Sequence, residues 1–470
     1  MLFNTLQFVF FFVITTILFW KLPHKFRWLL LLVASCYFYM TFVPVYILIL
    51  GFTILIDFLA GIQLEKTSRP IFKKTFFILS LAANITVLGI FKYYNFFLQN
   101  IERTLNQFNY NTALPFLSIA LPIGLSFHTF QAMSYIIEVY RGNQRAETHF
   151  GIYALYVMFY PQLVAGPIER PQNVLHQFHR KHIYNFEDLK SGLVQMAWGM
   201  FKKVVIADRL ALLVDYAYEN PSDQNVYTVI LANVFYAFQI YCDFSGYSDI
   251  GIGAARVMGF KLMDNFKMPY LSKSLAEFWS RWHISLSTWF RDYLYIPLGG
   301  NRGTYHRTLI NIFVVFLISG LWHGASWNFV IWGALHGFYL IIGKLKNSLL
   351  ERTNYKLRNT PFWKLLQVII TFLLVDFAWI FFRAPNLATV KVIISKLTNF
   401  SPTIGFTDVM SYAEITFCFF LIIVLLAKEK YLSEIPTPNR STFLIVFTIL
   451  MALCYLFGIF NNNSFIYFKF

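Results

Sequence analysis

Apolar runs of membrane-spanning length recur from one end of this 470-residue chain to the other. A helix needs about 20 apolar residues to cross a bilayer. Because lipid offers the backbone no hydrogen-bond partners, each such run forms its hydrogen bonds internally, as a helix. Clear runs lie at 2–20, 28–43, 44–62, 75–91, 226–242, 308–322, 325–343, 362–382, 411–427 and 442–460, and weaker ones at 115–138, 150–166 and 190–207. The sequence therefore predicts an all-α polytopic integral membrane protein with about 11–13 transmembrane or re-entrant helices.

The charge balance of the chain reports membrane topology. Hydrophobic residues make up 57% of the sequence and charged residues only 13%, against about a quarter charged in soluble domains. Many of the basic residues behind the net charge of +16 lie in short segments such as 21–27, 65–74 and 167–190. By the positive-inside rule these segments face the cytoplasm, whereas the uncharged segment 41–46 lies outside. The basic character therefore predicts membrane lipid, and no nucleic acid, as a partner.

No internal boundary divides the sequence. It has no Gly/Ser-rich linker, no shift of composition and no repeat of fixed period, so we predict a single domain over residues 1–470. Cys36, Cys242, Cys418 and Cys454 are far apart and follow no metal-ligand or disulfide spacing. The sequence therefore predicts neither a metal site nor a disulfide framework.

Two histidines interrupt the apolar stretch SGLWHGASWNFVIWGALHG, residues 319–337. Ionisable residues inside a membrane mark functional sites by default. Burial keeps a histidine such as His323 neutral, and one close partner can tune it into a general base for a hydroxyl nucleophile. Gly320 and Gly324 leave room for a substrate beside it. A histidine satisfied by a nearby backbone carbonyl is an equally good interpretation of this position alone.

The second histidine of this stretch, His336, lies 13 residues after His323. In one continuous helix it would sit about 20 Å away and roughly 140° around the axis. The two rings could serve one site only if the helix broke between them. We therefore interpret His336 as structural.

A third histidine lies in EFWSRWHISLSTWFRDYLYIP, residues 277–297, within a polar interruption of the apolar pattern. At 3.6 residues per turn this segment has an apolar stripe that includes His283, opposite a polar face. Glu277 and Arg281 form a favourable i,i+4 pair on the polar face. We predict an interfacial or re-entrant amphipathic helix over 277–293, in which His283 taken alone is most simply a packing residue.

Charged residues also follow an apolar run in YCDFSGYSDIGIGAARVMGF, residues 241–260. Asp243, Asp249 and Arg256 could form the polar lining of a substrate passage, where buried charge is tolerated because it is paired or hydrated. They could equally form an internal ion pair that holds helices together. The sequence leaves both interpretations open.

Several catalytic signatures are missing. GYSDIG is not a G-x-S-x-G nucleophile elbow, because Ile250 stands where glycine is needed. Walker, dinucleotide-binding and H-E-x-x-H motifs do not occur, and no histidine is followed five positions later by Asp, the arrangement of glycerolipid acyltransferases. An acyl transfer by this chain would therefore use a histidine base without a covalent serine.

Together, EFWSRWHISLSTWFRDYLYIPLGGNR and SGLWHGASWNFVIWGALHG resemble the core of the membrane-bound O-acyltransferase superfamily. The chain more closely resembles its bacterial branch, which contains the alginate O-acetyltransferase membrane subunit, peptidoglycan O-acetylating enzymes and the related D-alanyl-lipoteichoic acid transferase. Further matches are FYPQLVAGPIERP, IYCDFSGYSDIGIG, LLLLVASCYFYM and the terminal FIYFKF. The resemblance covers nearly the whole chain, with core motifs at about 120–345.

The resemblance implies a central funnel across the membrane with two polar residues near its middle. The invariant catalytic histidine of the superfamily falls on His323, and the second position, which is Asn, Asp or His in different branches, falls on His283. In that case His323 would remove the proton from an accepting hydroxyl, and His283 would orient the acceptor or stabilise developing charge.

Five further residues are candidates for the wall of the substrate passage: Arg281, Ser285, Arg291, Asp243 and Asp249. The two arginines would be available for phosphate or carrier contacts. By resemblance the donor is acetyl-CoA or another acyl thioester, which binds as a substrate. No permanently bound cofactor and no metal are expected.

We therefore expect a multi-pass O-acetyltransferase of the bacterial inner membrane that moves acetyl toward hydroxyls of an extracytoplasmic polysaccharide. A secreted or membrane-tethered esterase-like partner would complete the transfer. Transfer of D-alanine or another acyl group to teichoic acid, lipid or protein stays open, because the catalytic pair would be the same. A transporter of an acylated substrate is an alternative of a different class, which inverted repeats would favour.

Overall fold

The computed structural model describes residues 1–110, 114–118, 122–163, 166–352, 360–398, 409–432, 434–460 and 465–466. These residues form helices and connecting turns, and no β-strand occurs among them. The helices are α1 (Leu6–Lys21), α2 (His24–Met40), α3 (Tyr46–Lys66), α4 (Pro70–Leu88), α5 (Tyr94–Gln107), α6 (Leu125–Arg141), α7 (Phe150–Met158), α8 (Tyr160–Leu163), α9 (Pro171–His179), α10 (Phe186–Met200), α11 (Asp208–Glu219), α12 (Val226–Val257), α13 (Leu275–Arg281), α14 (Ile284–Phe290), α15 (Tyr305–His323), α16 (Trp327–Arg352), α17 (Pro361–Arg383), α18 (Leu387–Thr398), α19 (Tyr412–Tyr431) and α20 (Arg440–Phe457). Short π-helical turns at Gly89–Tyr93, Phe201–Ala207 and Arg291–Tyr295 follow α4, α10 and α14.

The long helices coincide with the apolar runs of the sequence, and each of the ten clear runs falls on a helix. In the described part of the chain, seven helices are long and apolar enough to cross a membrane: Tyr46–Lys66, Pro70–Gln107, Val226–Val257, Tyr305–His323, Trp327–Leu350, Pro361–Arg383 and Arg440–Phe457. The expected total of about 11–13 embedded helices includes shorter segments, of which the 16-residue α1 is an example. The predicted fold class, an all-α polytopic membrane protein, is confirmed.

The chain packs as two compact units, Met1–Met196 with Ser248–Met263, and Ala197–Tyr247 with Asp264–Phe470. In the first unit a polar contact joins two neighbouring helices. Asp57 of α3 is fully buried and accepts hydrogen bonds from Ser80 and Asn84 of α4. Polar side chains in a membrane are stabilised by such partners on an adjacent helix, so this contact holds α3 against α4. The single domain expected from the sequence stays a prediction.

In the second unit, α15 and α16 form a tight antiparallel hairpin. Helix α15 ends at His323, Gly324 is extended, and α16 begins at Trp327. The two backbones approach so closely that a Cβ on Gly320 would lie 2.2 Å from the carbonyl oxygen of Phe329. Two helices approach this closely only where their contact positions lack side chains.

The same close approach makes Gly333 of α16 intolerant of a side chain. Gly333→Ala is expected to lower the free energy of unfolding by about 1–3 kcal/mol, because its Cβ would lie 2.3 Å from the carbonyl oxygen of Phe316 on α15. Thermal unfolding of the detergent-purified protein measures the change. Gly343→Ala on α16 is the matched control, since a Cβ there meets nothing within 4 Å. Equal unfolding temperatures for both variants would contradict the close packing of this hairpin.

The continuous amphipathic helix predicted over 277–293 is wrong. Helix α13 ends at Arg281, Trp282 is extended, and His283 has the left-handed backbone angles φ 46° and ψ 54°. Backbone hydrogen bonds to the segment 265–267 replace the helical ones at this point. The Lys267 N–H donates to the Arg281 carbonyl, and the Ile284 N–H donates to the Asn265 carbonyl, both at 2.9 Å. Apolar periodicity alone could not show this competition.

Candidate active site

His323 occupies the last position of α15 and is 4% exposed. Its ring lies among three aromatic rings, with centroid distances of 5.0 Å to Trp322, 4.9 Å to Trp332 and 5.3 Å to Phe382. These apolar walls exclude most water from the imidazole. The imidazole of His323 therefore lies in largely apolar surroundings.

His283 is fully buried between α13 and α14. Its Nδ1 lies 3.1 Å from the side-chain oxygen Oδ1 of Asn265. The same oxygen accepts the Ser285 backbone N–H at 3.2 Å and the Ser285 hydroxyl at 2.9 Å. Asn265 therefore fixes the ring of His283 together with the first turn of α14.

These contacts also assign the tautomer of His283. Because Asn265 Oδ1 accepts a backbone N–H, it is the oxygen and not the nitrogen of the amide, and it can only accept. The proton of the neutral ring is thus assigned to Nδ1, which donates it to Asn265. Burial lowers the pKa of His283 to about 3. The ring is therefore neutral, and its second nitrogen, Nε2, carries a lone pair and acts as a hydrogen-bond acceptor.

The structure brings His283 and His323 into one aromatic cluster, although 40 residues separate them in the sequence. The Trp322 ring is their shared neighbour, 6.2 Å from the His283 ring and 5.0 Å from the His323 ring between centroids. Phe244 of α12 also lies against His283, edge to face at 4.6 Å. A single site can therefore contain both histidines.

His336 lies close to the same cluster, because the helix does break after His323. On the returning helix α16 its ring is 4.8 Å from Trp332, the residue that also contacts His323. The indole N–H of Trp279 donates to His336 Nδ1 at 3.3 Å. The ring is fully buried, so its contacts suit the structural role expected from the sequence, but the 20 Å separation of a continuous helix does not apply.

A cavity of about 450 Å³ opens immediately after His323. We call it the polar cavity; it is lined by Lys203, Ala207, Asp208, Ala211, Asp215, Gln239, Asp243, Gly324, Ala325, Ser326, Phe329, Arg383, Ala384, Pro385 and Ile466. Its volume is in the range of small-molecule sites. Five of the lining residues carry a formal charge, and charged side chains are rare inside membrane proteins.

Asp243, a candidate from the sequence, lies in the wall of the polar cavity. Its Oδ1 is 2.8 Å from the Lys203 ammonium, and its Oδ2 accepts the backbone N–H of Ile466 at 2.7 Å. Ile466 belongs to the terminal motif FIYFKF, whose last four residues lie outside the described residues. Asp249 is not among the lining residues; it belongs to the first unit, where Gln195 donates to its Oδ1 at 3.1 Å.

A second cavity, of about 870 Å³, is lined mainly by residues of helices α13 to α17. We call it the apolar cavity; it is lined by Lys273, Ser274, Leu275, Ala276, Trp279, Ser280, Ile284, Leu286, Ser287, Thr288, Phe290, Arg291, Tyr295, Ile312, Val315, Phe316, Ser319, Tyr339, Leu340, Ile342, Gly343, Lys344, Lys346, Asn347, Gln367, Ile370, Thr371 and Leu374. Four of these residues are basic and none is acidic. The cavity therefore combines an apolar wall with a positive edge.

The remaining candidates from the sequence fall in three different places. Arg291 lines the apolar cavity. Ser285 is buried and holds Asn265, and so supports His283. Arg281 pairs with Glu277 at 2.6 Å, as its i,i+4 spacing indicates, and is not among the residues that line either cavity.

Sequence reasoning missed several polar residues of the site, among them Asn265, Lys203 and Asp208. The signal for the last two was a lysine inside the weak apolar run 190–207 followed by an aspartate at its end. In the structure both are buried and their charged groups lie 2.8 Å apart. Asn265 had no signal, since it is an ordinary polar residue of a polar segment. Within the described residues, no group of three His, Cys, Asp or Glu could hold a metal ion.

Asn265 is expected to act through the position of the His283 ring. Asn265→Ala should lower activity about tenfold, because a lost hydrogen bond of this kind is worth roughly 1–1.5 kcal/mol and the ring would turn. Asn265→Asp is the matched control, since it keeps an acceptor oxygen for Ser285 and His283. Initial rates in membranes at matched expression provide the measurement. Full activity of the alanine variant would show that the ring needs no support from this residue.

Comparison with known proteins gives a consistent result over most of the chain. The profile of the membrane-bound O-acyltransferase (MBOAT) family matches residues 143–382. The chain is 41% identical to the probable alginate O-acetylase AlgI of Pseudomonas aeruginosa over 369 residues, 77% of this chain and 68% of that protein. It is 34% identical to the peptidoglycan O-acetyltransferase of Helicobacter pylori over 398 residues, 79% and 73% of the two chains. It is also 30% identical to the teichoic acid D-alanyltransferase of Streptococcus thermophilus over 283 residues, 55% and 68%.

Proposed function

The chain belongs to the membrane-bound O-acyltransferase family and is a multi-pass membrane acyltransferase, and on that premise we propose that it transfers acetyl to hydroxyls of an extracytoplasmic polysaccharide. The observation that carries the proposal is that residues on both sides of His323 along the chain line two different cavities, although His323 itself is in neither lining. Ser319, one turn earlier on α15, lines the apolar cavity, and Gly324 lines the polar cavity. A base at this point can serve a donor from one side and an acceptor from the other.

The apolar cavity suits an acyl thioester donor such as acetyl-CoA. Its basic residues Lys273, Arg291, Lys344 and Lys346 offer charge-assisted contacts to phosphate groups. The apolar walls suit the less polar pantetheine and acyl portion. Because basic segments of membrane proteins face the cytoplasm, this cavity opens toward the compartment that contains activated acyl groups. The donor binds as a substrate and leaves as a free thiol.

His323 acts as the general base of the transfer. It takes the proton of the acceptor hydroxyl while the hydroxyl oxygen forms a bond to the thioester carbonyl carbon. The carbon–sulfur bond then breaks, and the proton passes to the departing thiolate. The aromatic rings around His323 exclude water, which would otherwise hydrolyse the donor. These steps need no oxidant, no metal ion and no covalent serine intermediate.

His283 orients the acceptor hydroxyl. With its proton on Nδ1 and directed to Asn265, the ring offers only the lone pair of Nε2 to a substrate. A lone pair can accept a hydrogen bond from the hydroxyl, whereas a negatively charged oxygen needs a donor. Of the two roles expected from the sequence, orientation of the acceptor is therefore the one that this geometry supports.

The similarity to named enzymes supports the acetyl group and the polysaccharide acceptor. One relative is named an alginate O-acetylase and another a peptidoglycan O-acetyltransferase. We place the chain in the inner membrane of a bacterium, with a secreted or membrane-tethered esterase-like partner that completes the transfer outside. Transfer of D-alanine, as in the name of the third relative, is the competing acyl group.

Deletion of the gene tests the proposed function. Mild base releases O-linked acetate from purified surface polysaccharide, and the deletion strain should yield none above background. Expression of the intact chain should restore the acetate. Unchanged acetate in the deletion strain would contradict the proposal, and loss of base-labile D-alanine in its place would favour the competing acyl group.

A further inference from the structure

The proposed acyl transfer needs a hydrogen-bond donor in addition to its base. When the acceptor oxygen bonds to the thioester carbonyl carbon, one electron pair of the C=O bond moves onto the carbonyl oxygen, which becomes negatively charged. His283 donates its N–H to Asn265. The backbone N–H of Gly324, which follows His323, donates to the Gly320 carbonyl at 3.3 Å. The negative oxygen therefore needs a donor from another residue.

Trp332 of α16 has an indole N–H that forms no hydrogen bond with any described residue. The side chain is fully buried. A buried donor without an acceptor is costly, and a buried tryptophan usually finds one. Phenylalanine would place a similar ring here without that cost. A catalytic role is one of the few reasons for which a native protein keeps such a group.

The neighbouring histidine, His336, cannot accept the Trp332 N–H. The two rings lie 4.8 Å apart between centroids, and the Nδ1 of His336 already accepts the indole N–H of Trp279 at 3.3 Å. A neutral imidazole has one acceptor nitrogen and one N–H, so the Nε2 of His336 is itself a donor. Two donors do not pair, and the N–H of Trp332 stays available to a substrate.

Trp332 contacts both the proposed base and the wall of the proposed donor cavity. Its ring meets the His323 ring edge to face, with 4.9 Å between centroids and an interplanar angle of 85°. It also lies 5.7 Å from the ring of Trp279, which lines the apolar cavity. A thioester carbonyl that is bound against His323 is therefore within reach of the Trp332 side chain.

We propose that Trp332 is a catalytic residue whose indole N–H donates a hydrogen bond to the thioester carbonyl oxygen as that oxygen becomes negatively charged. The inference rests on the proposed function, because it assigns one step of that reaction. The electron pair then returns to restore the C=O bond, the carbon–sulfur bond breaks, and the thiolate takes the proton that His323 had removed. Because the hydrogen bond is strongest while the oxygen is charged, it stabilises the transition state more than the bound donor.

Trp332→Phe tests the inference, since it removes the N–H and keeps an aromatic ring. The kcat should fall by about 10²- to 10³-fold, the effect of losing one such donor. The KM for acetyl-CoA should change little, because the interaction is made only in the transition state. Rates are measured with labelled acetyl-CoA in membranes of the deletion strain, which contain the natural acceptor, at matched expression of each variant. An unchanged kcat would overturn the proposal.

Trp379→Phe is the matched control. Trp379 is also fully buried and stacks on Trp332 at 5.9 Å, but its N–H donates to the Tyr270 hydroxyl at 3.2 Å. Both substitutions shorten a buried ring, and only Trp379→Phe also breaks a hydrogen bond. Trp379→Phe should therefore lower the unfolding temperature more, and Trp332→Phe should lower kcat more. Equal losses of kcat, or equal losses of stability, would indicate a packing role for Trp332 and overturn the proposal.

The dependence of the rate on pH separates a hydrogen-bond donor from a base. An indole does not ionise in the working range, so the residual rate of Trp332→Phe should depend on pH as the wild-type rate does. A changed dependence would contradict the inference. Absence of acetyl transfer by the wild type would refute the proposed function and this inference with it. Transfer by the wild type that Trp332→Phe retains in full would refute the inference alone.

Discussion

His323→Ala should lower acetyl transfer by about 10²- to 10⁴-fold, the usual contribution of a general base. The residue stands at the end of α15 between the segments that line the two cavities. Alanine removes the only group proposed to take the acceptor proton, while its small volume leaves the aromatic walls in place. Labelled acetate transferred per unit of membrane protein is the measurement, at matched expression of variant and wild type.

His336→Gln is the matched control for His323→Ala. Both histidines are buried, both contact Trp332, and neither lines a cavity, but His336 receives a hydrogen bond from Trp279. Glutamine keeps an acceptor for that N–H, so activity should stay within about tenfold of wild type. If the two variants lost activity equally, disturbance of the aromatic cluster would explain the loss without a catalytic base.

Replacement of His283 should separate orientation from proton transfer. His283→Ala is expected to lower the rate about 10²-fold, because a misplaced hydroxyl costs roughly this much. His283→Asn should stay within about tenfold of wild type, since an amide oxygen can accept the same hydrogen bond. Asparagine also tolerates the left-handed backbone at this position, where φ is 46°. The measured quantities are kcat and KM for the acceptor.

The dependence of the rate on pH supplies the second readout for His283. If His283 only orients the hydroxyl, the rate of His283→Asn should depend on pH in the same way as the rate of wild type. If His283 transfers the proton, its replacement should change the part of the pH profile in which His283 ionises. Loss of activity in the Asn variant equal to that of His323→Ala, with a changed profile, would reassign His283 as part of the base.

Apolar periodicity was sufficient for the helices but not for the segment that positions His283. A run of apolar residues specifies a membrane helix because each side chain independently prefers lipid. In lipid the backbone N–H and C=O groups must also form their hydrogen bonds within the segment, which a helix allows. In 277–293 the same periodicity predicted one helix, whereas backbone hydrogen bonds from Lys267 and Ile284 tie the chain to its neighbour and open it at His283. Those bonds are made with residues far outside one helical turn.

The charged residues near Asp243 illustrate what a linear pattern leaves open. Asp243 and Asp249 are equally polar and lie six residues apart in the sequence. Only the packing of α12 puts Asp243 beside Lys203 in the polar cavity, while Asp249 meets Gln195 in the first unit. An ion pair depends on distance in space, which hydropathy does not encode.

By itself the sequence determined the all-α membrane fold, and its RWH and LWHG motifs indicated the family and singled out His283 and His323. The membrane helices and the motifs are local properties, because each depends only on residues that are close together in the sequence. The tertiary structure decided the hydrogen bond between His283 and Asn265, the two cavities that α12 to α17 line and the pairing of Lys203 with two carboxylates. Each of these depends on groups that only the packing of distant helices brings within hydrogen-bonding distance.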